Sequence, residues 1–176
     1  PDAPALQGGT ATADEQTSTH DLFVEIVSDA ERYLEVMSYG TFDVTFRPLH
    51  RWLRMPHNLS IDYSDFESGR FMGTRRLSLI GDAIGLADPD FDFEDIDSVV
   101  VIATPETDSI KRAMAHRGLF YADGQHIGNA ISLGSSGWQW PGGFTIAHEL
   151  GHNLGLPDLY DMSVKLDSEG NLPDEA

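Results

Sequence analysis

The sequence predicts an α/β fold: a twisted mixed sheet, two helices packed against it, and a third helix closing the floor of a cleft. Three patterns carry that expectation. Val99–Ala103 is an unbroken apolar run rich in β-branched residues, as in a central strand buried on both faces. Leu22, Phe23, Ile26, Val27, Ala30, Tyr33, Leu34 and Met37 recur at helical spacing, and so do Leu77, Ile80, Ala83, Ile84 and Ala87. A last helical stretch begins near Phe144 and runs into Gly155 and Pro157, two residues that stop a helix.

With 176 residues, one domain with a substantial core is expected. Eleven basic residues against 29 acidic ones leave a formal charge of −18, which disfavours nucleic acid and anionic membranes as partners. That acidity suits a soluble secreted protein, a salty habitat or carboxylate-bound calcium. No apolar run reaches the length of a membrane span. The absence of cysteine excludes disulfides and thiolate metal sites and leaves the compartment open. The polar start at Pro1 lacks a signal-peptide pattern, so the chain is expected to be cytosolic or a processed or trimmed piece of something longer.

In chain order, residues 1–19 lack periodicity and read as a leader or linker. The first helix follows, with Asp21, Glu25, Asp29 and Glu31 on its polar side, and ends near Gly40. Thr41 to Leu53 alternates through Phe42, Val44 and Phe46, as a strand followed by a second strand or extended arm would. Its neighbours His50 and His57 have no partner at metal-ligand spacing and read as surface or satisfied histidines. Asn58 to Gly69 reads as a loop and Phe71 to Ala87 as the second helix. Asp88 to Asp97 gathers six carboxylates, either a solvated acidic turn or a calcium site, without EF-hand spacing. After the Val99–Ala103 strand, 104–117 reads as a polar surface insertion whose Lys111, Arg112, His116 and Arg117 form a solvated basic face. The glycine-interrupted stretch 122–140 contains another strand. Trp138 to Gly143 then leads to the last helix, with Gly142 and Gly143 allowing an abrupt entry and Ala147, Leu150, Gly151 and Leu154 on its packed side.

That helix carries the chemistry. His148, Glu149 and His152 form H-E-x-x-H, and Gly155 and Asp158 extend it to H-E-x-x-H-x-x-G-x-x-D. Residues i and i+4 leave the same helix face, so both imidazoles can reach one ion. Glu149 lies one step round, beside the ion rather than on it. The break at Gly155 and Pro157 turns the chain back, placing Asp158 as third ligand, with Asp161 next in line. This is the donor set of a zinc hydrolase: three protein ligands, an open position for water, and a neighbouring acid to take its proton. A surface helix with two solvated histidines is the alternative, and it leaves the breaker and the extra carboxylate unexplained.

The segment His-Glu-Leu-Gly-His-Asn-Leu-Gly-Leu-Pro-Asp-Leu-Tyr-Asp, residues 148–161, resembles the active-site segment of the immune inhibitor A (M6) family of secreted bacterial metallopeptidases, which are metzincin-like zinc proteases. Tyr33–Gly40 and Phe91–Asp97 leading into Ser98–Ala103 resemble that family's early helix and its acidic lead-in to a core strand, so the likeness covers about residues 20–162. The resemblance implies a metzincin-like catalytic domain over 20–162, followed at 163–176 by the start of a lower subdomain or a tail. It also implies that Gly128, Asn129, Ala130, Ile131, Ser132, Leu133 and Gly134 form the sheet edge that aligns substrate, an internal hairpin strand being the alternative. Met162 follows Asp158 too closely to be the family's methionine turn, so the lower subdomain is expected to be mostly absent.

The expected function is therefore that of a secreted zinc-dependent endopeptidase acting on protein or peptide substrates. A zinc-bound water, deprotonated by Glu149, would attack the peptide carbonyl, and Tyr160 is a candidate oxyanion donor. Two readings compete with it: a metalloprotease-like binding or adhesion module, and a zinc-free domain stabilised by calcium.

Overall fold

A three-stranded mixed sheet carries the architecture. The computed structural model describes residues 20–158, except 22–23, 25–26, 28–29, 59–62, 64–65, 68–69, 72, 105–106, 108–109, 111 and 136–142. The expected leader (1–19) and the tail from 159 onward lie outside the described residues. A two-stranded ladder, β1 (Phe66–Glu67) with β2 (Arg70–Phe71), stands within the stretch read as loop and at the start of the expected second helix. The main sheet is built from β3 (Ser98–Ile102), β4 (Met114–Ala122) and β5 (Gln125–Leu133), in the order β3-β5-β4. β3 runs parallel to β5, and β4 antiparallel to it.

β4 and β5 form a hairpin through Asp123 and Gly124, both at positive φ (48° and 76°). An Asp-Gly pair is the favoured two-residue hairpin turn, because its backbone twist matches that of the strands. A register shift between Arg117 and Phe120 then bends β4.

Three helices flank the sheet. The described residues of α1 fall within 20–37; α2 spans Gly73–Ala87 and α3 Phe144–Asn153. Alternation along β3 sorts them onto two faces. Val99 and Val101 pack with Ile80, Ile84 and Ala87 of α2 and with Ala130. Val100 and Ile102 pack with Val27 and Leu34 of α1, Ile146 and Leu150 of α3, and Ile131 and Leu133. Each such aliphatic side chain, fully buried, contributes about 1.5–3 kcal/mol.

Several expectations change. β3 is an edge strand of the described sheet, not a central one; its continuous apolar run reflects helices on both faces rather than strands on both sides. Residues 41–48 do alternate in exposure, yet no ladder forms anywhere in 41–58. The period-2 pattern there marks an extended arm, whose Val44 and Phe46 pack beside α1 and α3 and whose Leu49 and Leu53 pack beside α2. It is tied by side chains: Glu31 Oε1 accepts Phe46 N–H at 3.1 Å, and Arg47 donates to the Asp92 and Glu94 carbonyls. The surface insertion expected over 104–117 ends instead in β4, and strand alternation sends His116 and Arg117 of its basic cluster to opposite faces, Lys111 lying outside the described residues. His116 is buried and Arg117 exposed. Among the described residues no helix is long and apolar enough to cross a membrane.

Candidate metal centre

α3 starts at Gly143, whose φ of 70° is left-handed and whose carbonyl accepts Ala147 N–H at 2.9 Å. Its inward side consists of Ile146, Ala147, Leu150 and Gly151, with Glu149 buried beside them. Leu154, expected on that side, is 56% exposed, because the helix has already ended there.

The C-terminus is a Schellman motif. Leu156 N–H bonds the Gly151 carbonyl and Gly155 N–H the His152 carbonyl, both at 2.9 Å, with Gly155 at φ 94°. The Leu156 side chain folds over Gly151, its Cδ1 lying 3.6 Å from where a Cβ would be. This turn reverses the chain and returns Asp158 to the two histidines. Asp158 Oδ1 lies 3.3 Å from His148 Nε2 and 3.2 Å from His152 Nε2, and the two Nε2 atoms are 3.2 Å apart. The imidazole planes cross at 81°.

His152 Nδ1 lies 2.8 Å from the Leu156 carbonyl. A carbonyl only accepts, so Nδ1 carries a proton, and in the singly protonated ring Nε2 turns its lone pair toward Asp158 Oδ1. The lone pair of His152 Nε2 and a carboxylate oxygen of Asp158 thus meet beside His148 Nε2, where a cation would find its donors. The spacing agrees: zinc bonds of ~2.0–2.1 Å in a tetrahedron set ligand atoms ~3.3 Å apart. His148, His152 and Asp158 can hold a metal ion, and the backbone acceptor on Nδ1 is the usual partner of a ligating imidazole.

Glu149 is 7% exposed. Burial pushes its carboxyl above the ordinary range, opposed by a hydrogen bond from Ala115 N–H and by electrostatic attraction to His148 and His152, while repulsion from Asp158 adds to the rise. All four residues singled out on this helix and turn are therefore brought together.

Others are not. Residues 128–134 were expected as the substrate-aligning edge, but Gly128–Leu133 belong to β5, the middle strand, paired on both sides. β4, like β3, is an edge instead, joined to a neighbour on one side only among the described residues. The Asp-Gly turn, set between two strand-like runs, is the signal that would have found this. His126 stacks beside Tyr121, and His57 stands beside Tyr63 and Asp82, both away from the trio. His50 contacts the His20 ring.

The acidic run 88–97, a possible calcium site, is fully described, yet no three of its carboxylates converge. It is tied as a turn: Asp90 pairs with Arg51 at 2.7 Å, Asp92 Oδ1 accepts Glu94 N–H, and Asp123 accepts Phe93 N–H. Tyr160, Asp161 and Met162 lie outside the described residues. Ala115, Arg117 and the Leu156 carbonyl escaped sequence reasoning, because a main-chain contact and a cross-strand contact leave no local pattern.

Comparison with protein-family models, curated proteins and solved structures finds no match to this chain, so the reading of the site rests on its geometry.

Proposed function

We propose that the protein is a zinc-dependent endopeptidase. The observation that carries this reading is the convergence of His148 Nε2, His152 Nε2 and Asp158 Oδ1 within 3.3 Å of one another, beside a buried carboxylate that is not a member of the trio. Two imidazoles and one carboxylate form a common catalytic zinc donor set that leaves a fourth position open. Such a metal, when bound, supplies Lewis acidity to water and to the scissile carbonyl.

The chain's own residues supply the rest. Glu149 takes the proton of the attacking water and returns it to the leaving nitrogen as the C–N bond breaks, leaving one carboxyl and one amine product. Its burial favours a basicity nearer neutrality, and the Ala115 amide keeps the carboxylate oriented. His148 is about half exposed, so a substrate has access from solvent. The edge of β4, unpaired among the described residues and joined by Ala115 to Glu149, replaces β5 as the strand with which an extended peptide could pair. The resemblance of residues 148–161 to the immune inhibitor A family supports the same activity, a metzincin-like fold and secretion. The competing calcium-stabilised domain finds no support in the dispersed carboxylates of 88–97.

The deciding experiment measures zinc content and casein hydrolysis together. Stoichiometric zinc, turnover abolished by a chelator and restored by zinc, and a Glu149→Gln variant that keeps zinc but loses turnover are expected. Zinc binding without turnover would favour the binding-module reading. Absence of zinc binding would refute the metal centre.

A further inference from the structure

Two residues of β4, on either side of His116, contact α3. Ala115 gives its N–H to Glu149. His116 alternates to the opposite face, 8% exposed, with Nε2 2.8 Å from Ser132 Oγ; that hydroxyl also receives Nη1 of the fully buried Arg76 at 2.7 Å. This buried chain joins α2, β5 and β4, and it fixes the strand on which the next residue stands. Arg117 returns to the α3 side and is exposed. Its Nη2 donates to the Asn153 carbonyl at 3.4 Å and lies 3.9 Å from where a Cβ on Gly155 would be.

The position matters because Asn153 is the last residue of α3, where helix carbonyls lose their intrahelical partners and the dipole is negative. The Schellman bonds satisfy Gly151 and His152. Arg117 takes the Asn153 carbonyl and also covers Gly155, the residue about which the chain turns toward Asp158.

We propose that Arg117 is a positioning residue of the metal centre: from β4 it holds the carbonyl end of α3 and the turn at Gly155, and so sets where Asp158 stands against His148 and His152. The proposal rests on the metal-centre reading above. The sign of the effect separates it from a role of charge alone. A cation near a metal site repels the metal, so if charge were all that mattered, removing Arg117 would tighten binding. If the guanidinium positions the turn, removing it loosens binding.

The test compares zinc affinity, by competition with a chromophoric chelator, for the wild-type chain and for Arg117→Ala, Arg117→Lys, Asp158→Ala and Arg54→Ala. Arg54 is an exposed arginine elsewhere, so its removal controls for net charge. Arg117→Ala is expected to weaken zinc about 3- to 10-fold, at or below the foot of the ~10–100-fold range for partners of metal ligands, because the bond is long and wet. Arg117→Lys should recover part of that loss, and Arg54→Ala should stay within about twofold of wild type. The visible spectrum of the cobalt-loaded protein should change in Arg117→Ala as Asp158 shifts, while the thermal midpoint of the metal-free protein stays put. Unchanged or tighter zinc binding by Arg117→Ala, with Asp158→Ala clearly weakened, would overturn the positioning role and leave the metal centre standing. Failure of the wild-type chain to take up zinc would overturn both.

Discussion

Two glycines four residues apart should respond in opposite ways to the same added methyl group. Gly155 has φ 94°, a backbone region that side chains with a Cβ rarely adopt, although the nearest atom to a new Cβ is 3.9 Å away. The cost of Gly155→Ala is therefore backbone strain rather than a clash, about 1–2 kcal/mol. The turn can release that strain by abandoning the two 2.9 Å Schellman bonds, and Asp158 is then no longer held beside the histidines. If all of the strain is taken from metal binding, zinc affinity falls about 5- to 30-fold, since 1.4 kcal/mol is tenfold. Gly151 is helical, and a Cβ there meets Leu156 Cδ1 at an ordinary 3.6 Å. Gly151→Ala should leave zinc binding intact and stabilise the helix by up to about 1 kcal/mol. Chelator competition and thermal unfolding, with and without zinc, read both quantities. Equal zinc affinity and equal stability for Gly155→Ala and wild type would refute the argument that this turn carries the third ligand, as would equal losses for the two variants.

Glu149→Gln should also change stability in the metal-free protein. Burial raises the folded-state pKa above the ordinary 4.5, so ionising this group subtracts stability as pH rises through that raised value. Glu149→Gln should therefore unfold at a higher temperature near neutral pH, and the gain should vanish below about pH 4, where the unfolded chain is protonated too; a gain that persists in acid would contradict this. Asp158→Ala should lower zinc affinity by at least tenfold, read by chelator competition, since it removes one of three ligands. Ser132→Ala takes a buried hydroxyl from between His116 and Arg76 and should destabilise the fold by about 1–3 kcal/mol in urea unfolding, with no compensation from zinc.

The part of the site legible in sequence is the part built from local geometry. His148 and His152 share a face because of helix period alone, and Gly155 with Pro157 announces the turn that brings back Asp158. The helical stripe of α2 was legible for the same reason, and that of α1 in part: Val27, Ala30 and Leu34 pack inward, whereas Tyr33 and Met37 are exposed. Pairing was not. A β-branched run tells that both faces of β3 are covered and says nothing about which strand lies on either side. The alternation at Phe42, Val44 and Phe46 reports an extended chain with one side buried, which an arm satisfies as well as a strand. The contacts from Ala115 and Arg117 depend on how β4 lies across α3, a relation set by the whole packing rather than by any short stretch. The acidic run at 88–97 shows composition misleading in the other direction: its carboxylates cap amides and pair with arginine instead of meeting one another.

The three candidate ligands fall between His148 and Asp158, on one short helix and its turn; among the described residues the sheet and the other two helices contribute none. A cation bound there closes only a small loop, so it removes little freedom from the unfolded chain as a whole. Stripping it should free the end of one helix and leave the rest of the protein folded. Under the proposed metal centre, the metal-free form should stay folded and fray only at the end of α3, and slowed amide exchange on reloading should be confined to the neighbourhood of Leu154, Gly155 and Leu156.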